Sequence, residues 1–257
     1  MPSLVDFALD GEVVAITGAG RGIGKAIALD VARSGGLVSA CSRSSSELDA
    51  LAEEISESGG TCATACVDVT STSEMAHFVQ HTVEAFGRIT SFVNNAGDNV
   101  NKDALDYTEA EVDHLIGINL RSVYFGCTLA AREMIRQGDG GSIVNITSQA
   151  GLVGAPQRAP YSAAKAGVNN LTRTLAAEWA VHGIRVNAIA PTVTLTPLAR
   201  KTMSERPDFA REVGERILLG RPAEVREISE PVVFLLSKAA SMITGHTLVV
   251  DGGWTIV

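Results

Sequence analysis

The sequence predicts an α/β fold in which helices cover both faces of a doubly wound parallel sheet. Two observations lead to this prediction. Short apolar segments alternate with longer amphipathic segments along the chain, and a glycine-rich turn directly follows the first apolar segment. Strands that alternate with helices indicate βαβ units, and right-handed crossovers between parallel strands place the helices on both faces.

Four strands and three helices are predicted in the first half of the chain. The strands are short apolar runs, as is typical of buried parallel strands. Each helix ends at glycine, the residue that most readily adopts the left-handed conformation after a helix. The predicted strands span 11–18, 37–41, 61–68 and 89–97. The predicted helices span 25–36, 46–60 and 71–87.

Three helices and three strands are predicted in the second half. The helices are amphipathic and are expected at roughly 108–136, at 159–182 and at 223–238. The strands are expected at 141–148, at 183–191, where a proline stops the strand, and at 247–253. Residues 192–220 contain two prolines and mixed polarity. They are predicted to form loops and short helices that act as a mobile lid over a substrate.

Length and composition limit the classes of function. The 257 residues are enough for one large core, and no linker or repeat divides them, so a single domain over 1–257 is predicted. The net charge of −8 argues against a nucleic-acid-binding or membrane-surface protein. No apolar run approaches the roughly 18 residues of a spanning helix, and the amino terminus carries no secretory signal, so we expect a cytoplasmic protein. The scattered cysteines lack metal-ligand spacing, so no metal is predicted.

The glycine-rich turn at Thr17–Gly24 has the properties of a dinucleotide-binding site. Gly18 permits a tight turn, while Gly22 and Gly24 let the backbone approach a pyrophosphate. The amino end of the following helix offers free N–H groups and a dipole that favours anions. A strand before the turn and a helix after it make the signal specific. The predicted cofactor contacts in this turn are Gly18, Arg21, Gly22, Ile23 and Gly24.

Tyr161 and Lys165 form a candidate acid–base pair. They are four residues apart in a predicted helix, so they share one face, and this helix follows the strand that ends at Ser148. Sheets of this kind bind ligands at the carboxyl ends of their strands. Free tyrosine has a pKa of about 10. We expect the Lys165 ammonium and an oxidised nicotinamide to lower it, and Ser148 to donate a hydrogen bond to the substrate oxygen.

The chain resembles the compact, single-domain branch of the short-chain dehydrogenase/reductase family over essentially its whole length. The motifs that carry the resemblance are Thr17–Gly24, Asn94–Gly97, Ser148, Tyr161–Lys165 and the strand end Asn187–Pro191. The resemblance implies a three-layer, Rossmann-like domain with strand order 3-2-1-4-5-6-7. It also implies a homotetramer, although a dimer would suit the apolar carboxyl terminus equally well.

The same resemblance implies further site residues. Asn119 would hold a water that links Lys165 to solvent, and Lys165 would also bind the nicotinamide ribose. The implied catalytic group is Asn119, Ser148, Tyr161 and Lys165. The further implied cofactor contacts are Asp68, Val69, Asn95, Ala96, Gly97, Tyr161, Lys165, Pro191, Val193 and Thr196. The chain departs from the family at Thr192, where glycine is common, and the larger side chain is expected to narrow or polarise the pocket beside the nicotinamide.

The end of the second strand favours NADP(H). NAD-specific relatives usually place an acidic residue there to bind the ribose hydroxyls, whereas this chain has Ser42 followed by Arg43. Serine and arginine can bind the 2′-phosphate of NADP, which an aspartate would repel. By resemblance to NADP-preferring members, Arg21 is a second cation within reach of that phosphate. We therefore expect NADP(H), with NAD(H) as the alternative.

The variable segments around the expected pocket are polar. Segments 98–102 and 149–158 carry amide and cationic side chains, and large apolar groups are few outside 192–220. This composition favours a sugar, a sugar acid or a polyol as the small-molecule substrate. The expected substrate contacts are Ser148, Gln149, Gln157, Tyr161 and Thr192. A 3-oxoacyl-thioester reductase and a general ketone reductase are alternatives within the same reaction class.

Two other classes of function fit the sequence less well than an oxidoreductase. A cofactor-sensing protein could keep this fold without catalysis, but the four implied catalytic residues are all present. An isomerase or dehydratase of this type usually has a longer chain with a substrate domain. The prediction is therefore an NADP(H)-dependent oxidoreductase that transfers hydride between nicotinamide and a carbonyl or secondary alcohol.

Overall fold

A computed structural model describes residues 7–257, and one seven-stranded sheet forms the centre of the fold. All strand pairs are parallel, and the order β3-β2-β1-β4-β5-β6-β7 confirms the predicted topology. The strands are β1 (Val13–Thr17), β2 (Leu37–Ser42), β3 (Cys62–Cys66), β4 (Ser91–Asn94), β5 (Gly141–Ile146), β6 (Ile184–Pro191) and β7 (Thr247–Val250).

Helices flank this sheet. They are α1 (Gly22–Arg33), α2 (Ser45–Glu57), α3 (Thr72–Phe86), α4 (Glu109–Ile116), α5 (Ser122–Gln137), α6 (Ala159–Trp179), α7 (Pro197–Glu205), α8 (Pro207–Arg216) and α9 (Arg226–Leu236). The first helix starts three residues before its predicted start at residue 25, because the end of the glycine-rich turn already forms its first turn. The sequence predicts short helices within 192–220, and α7 and α8 confirm this prediction.

The helix predicted over 108–136 is interrupted. A five-residue π-helical turn at Gly117–Arg121 separates α4 from α5. A π turn holds more residues per turn than an α-helix, and single turns of this kind are frequent at functional sites. Asn119, in the middle of the turn, is buried and bonds with its side chain to the backbone of Leu115. The apolar spacing continues through the segment, so periodicity does not reveal the change.

Separate hydrophobic cores lie on the two faces of the sheet. Successive strand residues point to opposite faces. Val14 and Ile16 of β1 therefore pack in the core that contains α1, α2 and α9, whereas Ala15 packs in the core that contains α3, α5 and α6. Because the strands are all parallel, their carboxyl ends share one edge of the sheet, and the two cores hold the strands in place.

The sequence also predicts that the chain has no secretory signal, no membrane-spanning helix and no metal site. The prediction that no secretory signal is present depends in part on residues 1–6, which lie outside the described residues. Between residues 7 and 257 no helix is long and apolar enough to cross a membrane. In that same part of the chain, no three His, Cys, Asp or Glu side chains group as metal ligands.

Candidate active site

Hydrogen bonds join the ends of β1 and β4 at the glycine-rich turn. The Thr17 hydroxyl accepts from the backbone N–H groups of Asn95 (3.0 Å) and Ala96 (3.2 Å). The side-chain amide of Asn95 donates to the carbonyl oxygens of Thr17 (2.9 Å) and Gly18 (3.0 Å). Asn95 therefore braces the turn directly.

Gly18, Gly22 and Gly24 line a concave part of the turn, the glycine cradle, in which larger residues would not fit. Gly18 and Gly22 have φ angles of 64° and 58°, which residues with side chains rarely adopt. A Cβ atom placed on Gly24 would lie 2.2 Å from the Gly18 carbonyl oxygen and 2.5 Å from Asn95 Nδ2. Among the described residues, no side chain caps the amino end of α1 at Arg21, so its N–H groups remain available for an anion. This geometry fits the pyrophosphate of a dinucleotide.

The segment after β6 approaches the same turn. A Cβ atom on Gly22 would lie 3.2 Å from Thr196 Cγ2. Pro191 is the last residue of β6, and Val193 follows two residues later. Thr192 between them is buried, and within the described chain its hydroxyl has no hydrogen-bond partner. Of the predicted contacts after β6, Thr196 thus lies close to the cradle, and Thr192 contributes a polar atom without a partner among the described residues.

The end of β2 supplies a hydroxyl and a cation. Ser42 Oγ accepts a hydrogen bond from the Ser44 N–H (3.2 Å). Arg43 is exposed and forms no ion pair with any described residue. Thr70 donates two hydrogen bonds to Asp68, and these bonds, together with the Arg43 charge, hold the pKa of that carboxyl below its usual value. Arg43 is therefore available for an anionic ligand.

Glu47 also lies at this end of the site, although its position in the sequence does not reveal this. A Cβ atom on Gly20 would lie 2.7 Å from Glu47 Oε2 and 3.0 Å from Ser42 Oγ. The sequence signal is the pattern Ser44-x-x-Glu47, which marks a helix start. That pattern occurs in helices with and without a ligand, so it indicates the helix and not the site.

Some of the predicted cofactor contacts have side chains that pack in the cores. Ile23 packs against the core on the α1 face, and Val69 and Ala96 belong to the core on the other face. Their side chains therefore fix the positions of the loops, and their backbone groups are the parts left to contact a cofactor.

Tyr161, Ser148 and Lys165 meet at the carboxyl end of β5. Lys165 is buried, and its Nζ donates to the Ile146 carbonyl oxygen (2.9 Å). The same Nζ lies 5.6 Å from the centre of the Tyr161 ring. The Ser148 hydroxyl is buried, donates to Gln149 Oε1 (3.1 Å), and lowers the pKa of the neighbouring Tyr161 phenol. A hydroxyl, a phenol and an ammonium thus share one small volume.

Asn119 faces this group from the π turn. Its Nδ2 donates to the carbonyl oxygens of Asp98 (2.7 Å) and Leu115 (3.0 Å). A Cβ atom on Gly97 would lie 2.8 Å from Asn119 Oδ1 and 3.6 Å from Lys165 Nζ. The glycine therefore keeps open the space between the amide oxygen and the ammonium.

Burial shifts the pKa values of both ionisable groups at the centre of the site. Burial raises the pKa of the Tyr161 phenol, and the Ser148 hydroxyl and the Arg158 charge lower it by less. Burial also lowers the pKa of Lys165 from 10.5 to about 8. The sequence predicts that Lys165 lowers the phenol pKa. In the chain itself that lowering comes from Ser148 and Arg158, and burial outweighs both.

Lys165→Met is expected to change the free energy of unfolding in a pH-dependent way. The Lys165 pKa is about 8 in the folded protein and 10.5 ordinarily, so the unfolded chain binds more protons between these values. Burial of the ammonium therefore destabilises the wild type by about 3 kcal/mol below pH 8, and this effect disappears as the pH rises towards 10.5.

Urea denaturation of both proteins without cofactor, at pH 7 and at pH 10, measures this change. The wild type should gain about 2–3 kcal/mol relative to Lys165→Met between the two pH values. A difference that stays constant with pH would contradict a lowered Lys165 pKa.

Gln149 and Gln157, the two glutamines predicted to contact the substrate, differ in their burial. Gln149 is buried next to Ser148. Gln157 is exposed, its Nε2 donates to Asp103 Oδ1 (3.2 Å), and its carbonyl oxygen accepts two hydrogen bonds from segment 102–107. These contacts hold Gln157 at a φ of 64°, the only positive value among the described non-glycine residues. Of these two glutamines, only Gln149 contacts the Ser148 hydroxyl.

Comparisons with known proteins agree with this architecture. A family model described as "Enoyl-(Acyl carrier protein) reductase" matches residues 18–255. A curated relative, the 2-dehydro-3-deoxy-D-gluconate 5-dehydrogenase of Dickeya dadantii, is 35% identical over 248 residues, which cover 96% of this chain and 97% of the relative.

Solved structures of similar sequence have the same fold. A short-chain type dehydrogenase/reductase from Mycobacterium marinum is 33% identical, with a TM-score of 0.93 and coverage of 98% of both chains. A candidate NAD(P)-dependent gluconate 5-dehydrogenase from Beutenbergia cavernae, with NADP bound at low occupancy, is 34% identical. Its TM-score is 0.92, and the match covers 98% of this chain and 100% of that one. With the glycine cradle and the Tyr161–Lys165 pair, these matches show that the chain belongs to the short-chain dehydrogenase/reductase family of oxidoreductases.

Proposed function

We propose that this chain is an NADP(H)-dependent oxidoreductase that interconverts a ketone and a secondary alcohol, with Tyr161 as the general acid and base. One observation carries the proposal. The phenol of Tyr161, the hydroxyl of Ser148 and the ammonium of Lys165 converge at the edge of the sheet that also forms the glycine cradle. That arrangement suits proton transfer to a reacting oxygen next to a bound dinucleotide.

Each side chain of the group has a distinct task in this reaction. When bound, NADP(H) supplies the chemistry of hydride donation and acceptance. Ser148 donates a hydrogen bond that holds the substrate oxygen, and Tyr161 gives that oxygen a proton as negative charge develops on it. In the reverse direction Tyr161 removes the proton. A pKa of about 8 lets Lys165 exchange protons near neutrality. Asn119, whose amide oxygen lies across the space at Gly97 from Lys165 Nζ, would hold a water that links Lys165 to solvent.

The chain offers a complete set of groups to hold the dinucleotide. The glycine cradle would take the pyrophosphate, with Asn95, Ala96 and Gly97 along its side. Asp68 and Val69 would contact the adenine, and Pro191, Val193 and Thr196 the carboxamide. Ser42, Arg43 and Arg21 would bind the 2′-phosphate, because hydroxyl and guanidinium groups are good phosphate ligands. NADP bound in the similar Beutenbergia cavernae protein supports this choice over NAD.

The proposed substrate is a sugar acid, with neutral sugars and polyols as related choices. Arg158 is partly buried, lies three residues before Tyr161, and forms no ion pair within residues 7–257. Its charge lowers the pKa of the Tyr161 phenol, which is why we propose that it also acts on a substrate held there. A guanidinium in this position suits a carboxylate. The curated relative that acts on 2-dehydro-3-deoxy-D-gluconate supports the same class.

Further parts of the proposal concern the lid and the assembly. Segment 192–220, with α7 and α8, would close over the substrate. The chain would be one functional domain and assemble in the cytoplasm as a homotetramer or a dimer. Exposed apolar side chains near the carboxyl terminus support an interface there: Leu218, Leu219, Ile256 and Val257.

A reductase of 3-oxoacyl thioesters is the second candidate. A curated relative, the 3-oxoacyl-[acyl-carrier-protein] reductase of Thermotoga maritima, is 39% identical over 251 residues and favours it. Such a substrate presents a long neutral chain near the reacting carbonyl and would not use the Arg158 charge. Substrate turnover in an Arg158 variant therefore distinguishes the two candidates.

Arg158→Gln is expected to raise the KM for keto sugar acids about tenfold while leaving the KM for neutral keto sugars within about twofold, because one charge-assisted hydrogen bond is lost. The assay follows oxidation of NADPH and of NADH across a panel of keto acids, keto sugars and 3-oxoacyl thioesters. Arg173→Gln, an exposed position on α6, is the matched control.

The panel can also refute the proposed substrate class. Turnover confined to 3-oxoacyl thioesters, with an equal KM in the wild type and Arg158→Gln, would favour the second candidate. Failure to oxidise either reduced cofactor with any member of the panel would count against the proposed function itself.

A further inference from the structure

A carboxylate lies where the 2′ position of the adenosine ribose would bind. Glu47 Oε2 and Ser42 Oγ both approach the position that a Cβ atom of Gly20 would occupy, at 2.7 Å and 3.0 Å. Glu47 Oε1 also lies 3.8 Å from Arg21 Nη1. The acidic side chain thus lies beside Gly20, as the Ser42 hydroxyl does, and pairs with Arg21, one of the cations to which the 2′-phosphate of NADP is assigned above.

The backbone holds Glu47 in this position, while its side chain stays adjustable. Glu47 is the third residue of α2, and its N–H donates to the capping Ser44 hydroxyl (3.3 Å). A negative charge in the first turn of a helix is favourable, so the carboxylate is stable there without a ligand. The ion pair with Arg21 is long, and the two side chains are 76% (Arg21) and 36% (Glu47) exposed. Such a pair contributes little stability and can exchange partners.

The carboxylate has opposite effects on the two nicotinamide cofactors. It can accept hydrogen bonds from the free 2′-hydroxyl of NAD, in the way that an acidic residue at the end of the second strand does in NAD-binding proteins. Towards the 2′-phosphate of NADP it is repulsive, and it also competes with that phosphate for Arg21. Glycine at position 20 is what gives the carboxylate room to approach the pocket.

We propose that Glu47 is a cofactor-specificity residue that weakens the binding of NADP(H) and strengthens the binding of NAD(H). NAD-specific relatives have an acidic residue at the end of the second strand, where this chain has Ser42. Glu47 on the neighbouring helix α2 takes the place of that acidic residue. NADP(H) displaces the carboxylate from Arg21, whereas NAD(H) binds to it. This inference rests on the proposed function only in placing a dinucleotide in the glycine cradle.

The test is equilibrium binding, which requires no turnover. Isothermal titration calorimetry gives the Kd of NADP⁺ and of NAD⁺ for the wild type and for Glu47→Gln. Removal of the charge should lower the Kd of NADP⁺ about fivefold and raise the Kd of NAD⁺ about threefold, so the ratio shifts by about tenfold or more towards NADP⁺. Glu47→Asp, which keeps the charge on a shorter side chain, should give an intermediate ratio.

Glu54→Gln is the matched control. Glu54 lies on the same helix and pairs with Lys25 of α1 at 2.7 Å, so its replacement makes the same change in net charge outside the pocket. Its ratio of Kd values should stay within about twofold of the wild type. A Glu47→Gln ratio that equals the Glu54→Gln ratio, or that moves towards NAD⁺, would overturn the inference.

The Kd values of the wild type for NAD⁺ and NADP⁺ distinguish a failure of this inference from a failure of the proposed function. A wild type that binds NAD⁺ more tightly than NADP⁺ would contradict the proposed NADP(H) preference, yet a shift of the ratio in Glu47→Gln would still support the role of Glu47. A wild type that binds neither cofactor would overturn both.

Discussion

Tyr161→Phe is expected to lower kcat by about 10³-fold or more while the Kd of NADP(H) changes by less than about threefold. The substitution removes only the phenol oxygen, so the reacting oxygen loses its proton donor. The ring itself remains beside Lys165, whose Nζ lies 5.6 Å from its centre. Oxidation of the reduced cofactor by the best ketone in the panel gives kcat, and calorimetry gives the Kd.

A second tyrosine provides the control for this prediction. Tyr124 is exposed on α5, away from the Ser148 hydroxyl, and Tyr124→Phe removes the same atom there. Its kcat should stay within about twofold of the wild type. Turnover that is unchanged in Tyr161→Phe would eliminate Tyr161 as the proton donor. An equal loss in both variants would indicate damage to the fold instead.

Arg43→Ala is expected to weaken the binding of NADP⁺ about 10- to 100-fold and that of NAD⁺ by less than about threefold. The side chain is exposed and forms no ion pair within the described chain, so it is available for the 2′-phosphate. A hydrogen bond to a charged group contributes about 1.5–3 kcal/mol, which corresponds to this range of affinity. NAD⁺ lacks the phosphate and should hardly respond.

A cation at the opposite end of the sheet controls for the loss of charge. Arg88 precedes β4 and pairs with Asp139, and Arg88→Ala should leave both Kd values nearly unchanged. Equal losses of NADP⁺ and NAD⁺ affinity in Arg43→Ala would contradict its role at the 2′-phosphate. In that case Arg43 would support the pocket in some other way.

The fold could be predicted from the sequence because its signals are local and repeated. Each strand is an apolar run such as 13–17, and the first three crossover helices end near a glycine, so the alternation alone indicates a parallel sheet. The strand order depended on the family resemblance, since no local pattern specifies which strands are neighbours. The order observed in the structure confirms that expectation.

The parts that could not be predicted depend on contacts between distant segments. The π turn around Asn119 fits the hydrogen bonds to Asp98 and lies in a segment whose apolar period does not change. The positive φ of Gln157 is held by bonds from segment 102–107. In both cases the local sequence is also compatible with the common conformation, an α-helix around Asn119 and a negative φ at Gln157. Contacts with distant segments determine which conformation forms.

The pKa values at the site also could not be predicted from the sequence. The spacing of Tyr161 and Lys165 places them on one helix face, as predicted, but it does not reveal how deeply they are buried. Burial raises the phenol pKa and lowers that of Lys165 to about 8, which the sequence-based expectation did not include. The position of the Glu47 side chain beside Gly20 likewise depends on how α2 packs against the glycine-rich turn.

The most direct test of the central claim is the stoichiometry between reduced cofactor consumed and alcohol formed. NADPH absorbance and product quantification would be followed together, with a keto sugar acid and purified wild-type protein. The proposed function predicts one molecule of alcohol for each NADPH consumed. Tight binding of NADPH without consumption, across the whole carbonyl panel, would contradict it and would instead identify a protein that binds the cofactor without catalysis.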